Sequence, residues 1–328
     1  MTEAVATRGR PSSEVTARAV AFVAERRELA EVLGRELADV TGDPDEFAAG
    51  LTAAFERLSD PEYLVGQHFI APGLGPVYGV RWPLHAAVAR GFRAASRRES
   101  PARLLYVADR MFHEERLEAR WFAFGLLERI VAADPERAWQ LLRRAAREAG
   151  DWITVDSLAH PYGRGIIDEP YRWAELEQLV YSPSRWERRL VGSTIATIPY
   201  VDRRRGRSAE VARHALPILG QLLGDREPDV QKALAWAYRS LLVVDRPAVE
   251  AALSRETDVA ASNRDGHRAW VIRDVLTKFD PGPAEVLRKR LAGIRKVAGA
   301  AATSSASAIA GRFGQLPDPG GHPEPPLT

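Results

Sequence analysis

Residues 182–243 read SPSRWERRLVGSTIATIPYVDRRRGRSAEVARHALPILGQLLGDREPDVQKALAWAYRSLLV. Three runs within this stretch, Arg185–Ile198, Ser208–Leu223 and Val230–Val243, return apolar side chains every three or four residues, the interval of one helix face. Ser182-Pro183 and Glu227-Pro228 punctuate them. A proline near a helix start does no harm, because the N–H it lacks would have had no intrahelical partner. The stretch therefore predicts amphipathic helices joined by short connections.

The same pattern extends outward. Leu84–Ala95, Ala102–Met111, Arg116–Ala132, Pro135–Ala149 and Tyr171–Tyr181 carry the helical period, with turn signals at Ser100-Pro101 and Asp134-Pro135. Two further helical segments are expected between Val15 and Leu58, parted by Gly42-Asp43-Pro44. From Pro61 to Arg81 the breakers Pro72, Gly73, Gly75, Pro76 and Gly79 rule out a continuous helix, and an irregular segment is expected. No useful alternating strand pattern occurs. The expected class is all-α. Paired helices suggest an α-solenoid, although periodicity alone fits a bundle equally well.

The ends differ from the middle. Residues 1–13 are polar and expected to be disordered. From Val297 the chain becomes AGAAATSSASAIAG and then GQLPDPGGHPEPPLT, too poor in large apolar groups to build a core. The expected organisation is a helical-repeat domain over 14–296 and a disordered tail over 297–328.

Composition excludes several chemistries. The 328 residues include no cysteine, so disulfides, thiolate metal sites and cysteine nucleophiles are impossible. The seven histidines are scattered without metal-ligand spacing, and no metal or cofactor is expected. Gly73–Gly79 is glycine-rich, yet it follows no strand and lacks a Walker lysine, so it is not a nucleotide loop. No apolar run is long enough to span a membrane. The N-terminus has no secretory apolar core, so a cytoplasmic protein is expected. Net charge is only +2 with a pI near 9.0; arginine clusters carry more information than this total.

Three segments could carry chemistry: Asp151–Asp156 at a helix opening, Ser184–Arg189 after a proline turn, and Gln231–Arg239. Trp152 and Asp156 are four apart and so share one helix face. Taken singly, each has a structural explanation: a core tryptophan, a capping aspartate, a solvated arginine pair.

Their combination and order resemble the AlkD-type DNA alkylation repair family of HEAT-like repeat alkylpurine DNA glycosylases. Tyr78-Gly79-Val80-Arg81-Trp82-Pro83 is similar to that family's Gly-hydrophobic-basic-x-Pro segment, and Glu118–Ala123 to its Glu-x-Arg-x-x-Ala helix. Asp151–Asp156 resembles Trp-x-x-Val-Asp, Trp186–Arg189 resembles Trp-x-x-Arg, and Gln231–Arg239 resembles Gln-Lys-Ala-hydrophobic-x-Trp-hydrophobic-x-Arg. Five segments fall in family order between Val77 and about Val244. The resemblance implies a HEAT-like solenoid with a concave DNA-binding face. It also implies catalytic Asp156, aromatic walls Trp152 and Trp236, and DNA ligands Arg189, Arg188, Arg239, Lys232 and Arg81. It further implies a monomer without metal that acts on duplex DNA carrying alkylated purines and leaves the damaged base stacked. Tyr63 and Gln67 are expected to line the groove.

The chain departs from the pattern at Asp151, where the family often has a second tryptophan, and in the basic stretch Tyr200–Arg207. An alternative is a non-catalytic helical-repeat module that binds DNA or a protein partner.

The residue types suit the reaction. An N3- or N7-alkylated purine is cationic and already a good leaving group. The remaining barrier is positive charge developing on the sugar, which a fixed carboxylate stabilises. Tryptophan faces favour cations by about 0.5–2 kcal/mol, and arginines hold phosphates.

Overall fold

Each periodic run named above is helical in the structure, a computed structural model that describes residues 13–70 and 75–313. The α-helices are α1 (Ser13–Glu36), α2 (Pro44–Leu58), α3 (Pro61–Ile70), α4 (Trp82–Ala95), α5 (Pro101–Phe112), α6 (Leu117–Ile130), α7 (Pro135–Glu148) and α8 (Trp152–Asp168). They continue with α9 (Arg172–Gln178), α10 (Arg185–Val201), α11 (Ala209–Leu222), α12 (Pro228–Leu241), α13 (Arg246–Asn263), α14 (Gly266–Val275), α15 (Pro281–Arg290) and α16 (Ser305–Phe313). Among the described residues β-pairing is limited to an isolated bridge between Ser59 and Val80. No described helix is long and apolar enough to cross a membrane. The expectation for residues 1–12 lies outside the described residues.

The chain divides into two units, Met1–Ala138 and Trp139–Thr328, with the boundary inside α7. In the first, α4 packs on α1 and α6, while α5 packs on α2 and α6. The crossing of α1 and α4 needs glycine on both sides: a Cβ on Gly91 would meet the Glu31 carbonyl oxygen at 2.1 Å, and one on Gly34 would meet that of Val88 at 2.1 Å. Phe47, Leu51, Phe55, Leu84, Val88 and Phe122 fill the core between these helices. Each such side chain contributes about 1.5–3 kcal/mol by leaving water.

The segment expected to be irregular contains a helix after all. In α3, the Asp60 carboxylate accepts the backbone N–H groups of Glu62 (2.9 Å) and Tyr63 (3.3 Å), a cap that starts the helix before the breakers are reached. Residues 75–81 are non-helical. Buried Glu118 holds them, accepting the N–H groups of Tyr78 (2.9 Å), Gly79 (2.9 Å) and Val80 (3.2 Å). Helical hydrogen bonding is absent there, so one carboxylate supplies the acceptors that a helix would have provided.

In the second unit, helices contact the next but one along the chain. α8 packs on α10, α10 on α12, and α12 on α14; on the other side α11 packs on α13, and α13 on α15. This alternation is the helical-repeat arrangement, in which neighbouring pairs bury each other's apolar faces. Polar ties follow the same rule, joining residues about one repeat apart. Trp139 Nε1 donates to Glu175 (2.7 Å), 36 positions on, and Arg205 donates to Asp168 (2.6 Å), 37 positions back.

Residues 297–313 differ from the expectation of a disordered tail. The Thr303 N–H donates to the Gly224 carbonyl (2.9 Å), Thr303 Oγ1 donates to Asp265, and α16 packs on α11 with Ser304 and Ala306 buried. Small side chains let backbones come close enough to hydrogen-bond, so docking here needs no large apolar group. Residues 314–328 lie outside the described residues.

Candidate functional site

Of the residues singled out on α8, α10 and α12, Trp152, Asp156 and Arg189 come together in the second unit, because these helices lie side by side. Asp151, where the family often has tryptophan, is the N-cap of α8: its Oδ1 accepts the Thr154 N–H (2.8 Å) and its Oδ2 the Thr154 hydroxyl (2.6 Å). The cap sets the helix so that Trp152 and, one turn later, Asp156 occupy one stripe. Trp152 is 43% exposed. The Asp156 side chain is 22% exposed. His160, a further turn on, is exposed on the same stripe; the sequence alone shows it only as one of several scattered histidines.

The Asp156 carboxylate is held at two oxygens. Arg189 Nε donates to Oδ1 (3.1 Å) and Nη2 to Oδ2 (2.7 Å), while the Ser193 hydroxyl donates to Oδ1 (2.6 Å). Arg189 and Ser193 are four apart on α10, one turn. Ser193 was missed because serine is common; its i+4 relation to Arg189 was the available signal. The remaining Arg189 nitrogen, Nη1, donates to the Asp229 carbonyl on α12 (2.7 Å). The guanidinium also lies 5.9 Å from the Trp152 ring centroid. One arginine thus ties three helices together.

Close approach of α10 and α12 depends on Gly192, where a Cβ would stand 2.8 Å from the Ala233 backbone carbon. Beyond Ala233, Trp236 is half-buried and Lys232 is exposed. Trp236 lies seven residues past Asp229, about 10 Å along the helix axis. Lys232, Trp236 and Arg239 are spaced by four and three, so they form one stripe.

The five cations expected to hold DNA fall into different settings. Arg189 is only 7% exposed and all its nitrogens have protein acceptors, so it presents little to a phosphate. Arg188 donates to Asp225 (2.7 Å) and to the carbonyls of Ser182 and Pro183 (2.8 and 2.9 Å), which fixes the turn before α10. Arg239 pairs with Asp274. In the first unit, Arg81 pairs with Asp60 (2.6 Å) and lies over the Tyr63 ring. Lys232 alone among the five is exposed. Tyr63 lines an apolar cleft of the first unit with Trp82, whereas Gln67 is buried.

The basic stretch after α10 is ordered by Asp202. Its carboxyl is pulled down to about 2 by the backbone N–H and the guanidinium of Arg205, with further help from the Arg204 N–H. Arg205 is also bound by Asp168 (2.6 Å). Arg203, Arg204 and Arg207 remain exposed, with Arg207 beside the half-exposed Tyr200 ring. Among the described residues no cluster of three acidic or histidine side chains is arranged to hold a metal ion.

The arrangement offers a rigid, partly exposed carboxylate, an adjacent indole face, and a basic edge. No curated protein matches the chain. Residues 51–279, more than half of it, match the family model described as DNA alkylation repair enzyme. That span contains Asp156, Trp152, Trp236 and the arginine that holds the carboxylate, and the chain belongs to the DNA alkylation repair enzyme family.

Proposed function

We propose that the protein is a DNA glycosylase that hydrolyses the N-glycosidic bond of cationic N3- and N7-alkylated purines in duplex DNA, as a step of base excision repair. The observation that carries this reading is the Asp156 carboxylate, locked by Arg189 and Ser193 beside the exposed Trp152 ring.

In the reaction the C1′–N bond breaks and its electron pair leaves with the alkylpurine, neutralising the base. The sugar becomes an oxocarbenium ion, water adds at C1′, and a proton is released. The products are free alkylated base and an abasic site. Three hydrogen bonds occupy three of about four lone-pair sites on Asp156, leaving one for the sugar or the incoming water. The Arg189–Asp156 pair has no net charge, but it is oriented. Its cationic end is buried and its anionic end faces solvent, so the field at the open side is negative. Prepaid orientation of that kind avoids reorganisation when charge develops. Trp152 and Trp236 supply π-faces for a cationic lesion, and no side chain is required to protonate the base. In this reading, as the family resemblance implies, the base stays stacked, so no enclosing pocket limits the adduct's size and bulky adducts fit as well as methyl groups.

Phosphate contacts in this reading fall to Lys232, the rim of Arg239, and Arg203, Arg204 and Arg207. A second reading is a helical-repeat module that binds without catalysis, in which the pairs made by Arg188, Arg189 and Arg81 serve only to hold helices and turns together. Mass spectrometry of bases released from alkylated duplex DNA separates the two. Wild-type protein is expected to release N7-methylguanine or N3-methyladenine, and Asp156→Asn to bind DNA yet lose about 10²- to 10³-fold in rate. Equal excision by Asp156→Asn removes the catalytic role of Asp156; no excision by wild type on any lesion leaves the non-catalytic module.

A further inference from the structure

Between α4 and α6 of the first unit lies a cleft of about 340 Å³ that the proposed chemistry does not use. The size falls within the range of small-molecule sites. Trp82, Trp121 and His85 form its aromatic wall, and Arg90, Arg93 and Arg129 its basic one.

Trp82 is 61% exposed, a large apolar ring left in water. One of its faces is stacked on His85, with centroids 5.2 Å apart and planes 11° from parallel, and Trp121 meets it edge-on at 6.0 Å. His85 is itself immobilised: a carbonyl only accepts, so Nε2–H donates to the Glu118 oxygen (3.1 Å). Burial pushes the imidazole down to about 4, so it is neutral at physiological pH. The indole therefore rests on a fixed, uncharged ring while more than half of its surface stays exposed.

The surrounding charge is unbalanced. Arg93 lines the cleft, is exposed and has no carboxylate partner among the described residues. Arg129 donates to the Ser96 hydroxyl (2.9 Å) and carbonyl (2.7 Å). Burial and then the nearby Arg93 lower its affinity for a proton. Arg90 is paired with Glu31 (3.0 Å), and Glu128 lines the same wall. Cations thus outnumber acids at the mouth of an aromatic cleft. An apolar protein partner would leave those guanidinium groups without counter-charge; a nucleotide supplies both a π-face and a phosphate.

We propose that this cleft takes one unpaired nucleotide of DNA, its base stacked on the exposed Trp82 ring and the neighbouring phosphates of the strand running along α4 toward Arg93. Stacking platforms flanked by cations are how proteins hold single-stranded nucleic acid without sequence preference. The inference rests on the family's DNA substrate and is independent of the role of Asp156.

The test uses the full chain and unmodified DNA. Affinity is measured by fluorescence anisotropy for a duplex carrying one central unpaired nucleotide and for the fully paired duplex. Wild type is expected to bind the bulged duplex about tenfold more tightly. Trp82→Ala should abolish that preference and Trp82→Tyr keep most of it; thermal melts verify that both variants fold. Arg93→Ala should lower the salt slope by about one. Equal affinity for the two duplexes, or a preference that survives Trp82→Ala, overturns the proposal. Self-association of the wild type that Trp82→Ala abolishes would assign the cleft to a second copy and overturn it equally. Excision is scored separately: excision without bulge preference defeats only this proposal, and bulge preference without excision defeats only the glycosylase reading.

Discussion

Around Asp156 in the second unit, acid and base are matched, whereas around Trp82 in the first, cations stand by aromatic rings with few acids. Arg189 gives every nitrogen to a protein acceptor; Arg93, at the aromatic cleft, has no carboxylate partner among the described residues. Pairing makes a charge part of the scaffold and fixes its direction, which suits a group that must meet developing charge on a sugar. An unpaired surface cation is mobile and well hydrated, which suits attraction of a phosphate but not precise catalysis. In an arginine-rich chain, the presence of arginine therefore says little. Its partner, or lack of one, says more.

The contrast is broken or sharpened by a graded set of measurements. The largest effect expected is the loss of about 10²- to 10³-fold in excision by Asp156→Asn with DNA affinity retained. Next, Arg189→Met leaves a partly buried carboxylate without its partner and should lower stability by about 3 kcal/mol in urea unfolding. If the variant is as stable as wild type, the pair does not organise the α8–α10–α12 contact.

In the first unit, the neutral His85 makes stability depend on acid. Its folded-state value of about 4 lies below the ordinary 6.5, so the unfolded chain binds a proton first as pH falls. The stability contributed by the neutral ring is complete above about pH 6.5 and is lost on descending to about pH 4, by up to about 3 kcal/mol. Urea midpoints at pH 7 and pH 4.5 should differ less in His85→Phe; an identical pH dependence in the variant excludes His85 as the cause.

The smallest effect belongs to the loop after α10. Replacing Arg203, Arg204 and Arg207 together with alanine should reduce the slope of log affinity against log salt by up to about three, with little change in the chemical step. Arg205→Ala should alter it less, because Asp202 and Asp168 already hold that side chain. An unchanged slope in the triple variant removes this loop from the DNA contact.

Helix positions were legible because they are local. Pro101, Pro135 and Pro228 begin helices where read, and Ser100 caps α5 through the Arg103 N–H. Two expectations failed for reasons that are not local. α3 forms beside a run of breakers because Asp60 caps it, and residues 297–313 dock because Gly224 and Thr303 come close enough for their backbones to bond. The spacing of Trp152 and Asp156 on one helix showed half of the candidate site. Ser193 and the engagement of Arg188 and Arg239 were not visible, because their partners lie 35 to 37 positions away on the neighbouring repeat.

By itself, the sequence determined the all-helical class, the helix starts and the residues sharing a face, since these follow from backbone hydrogen bonding and side-chain periodicity within about one turn. Tertiary structure alone decided which charges are spent on one another. Ion pairing depends on distances set by helix packing, and no repeat of the amino-acid pattern encodes them visibly. The same residue type thus became a strut for a carboxylate at Arg189 and an exposed cation at Arg93.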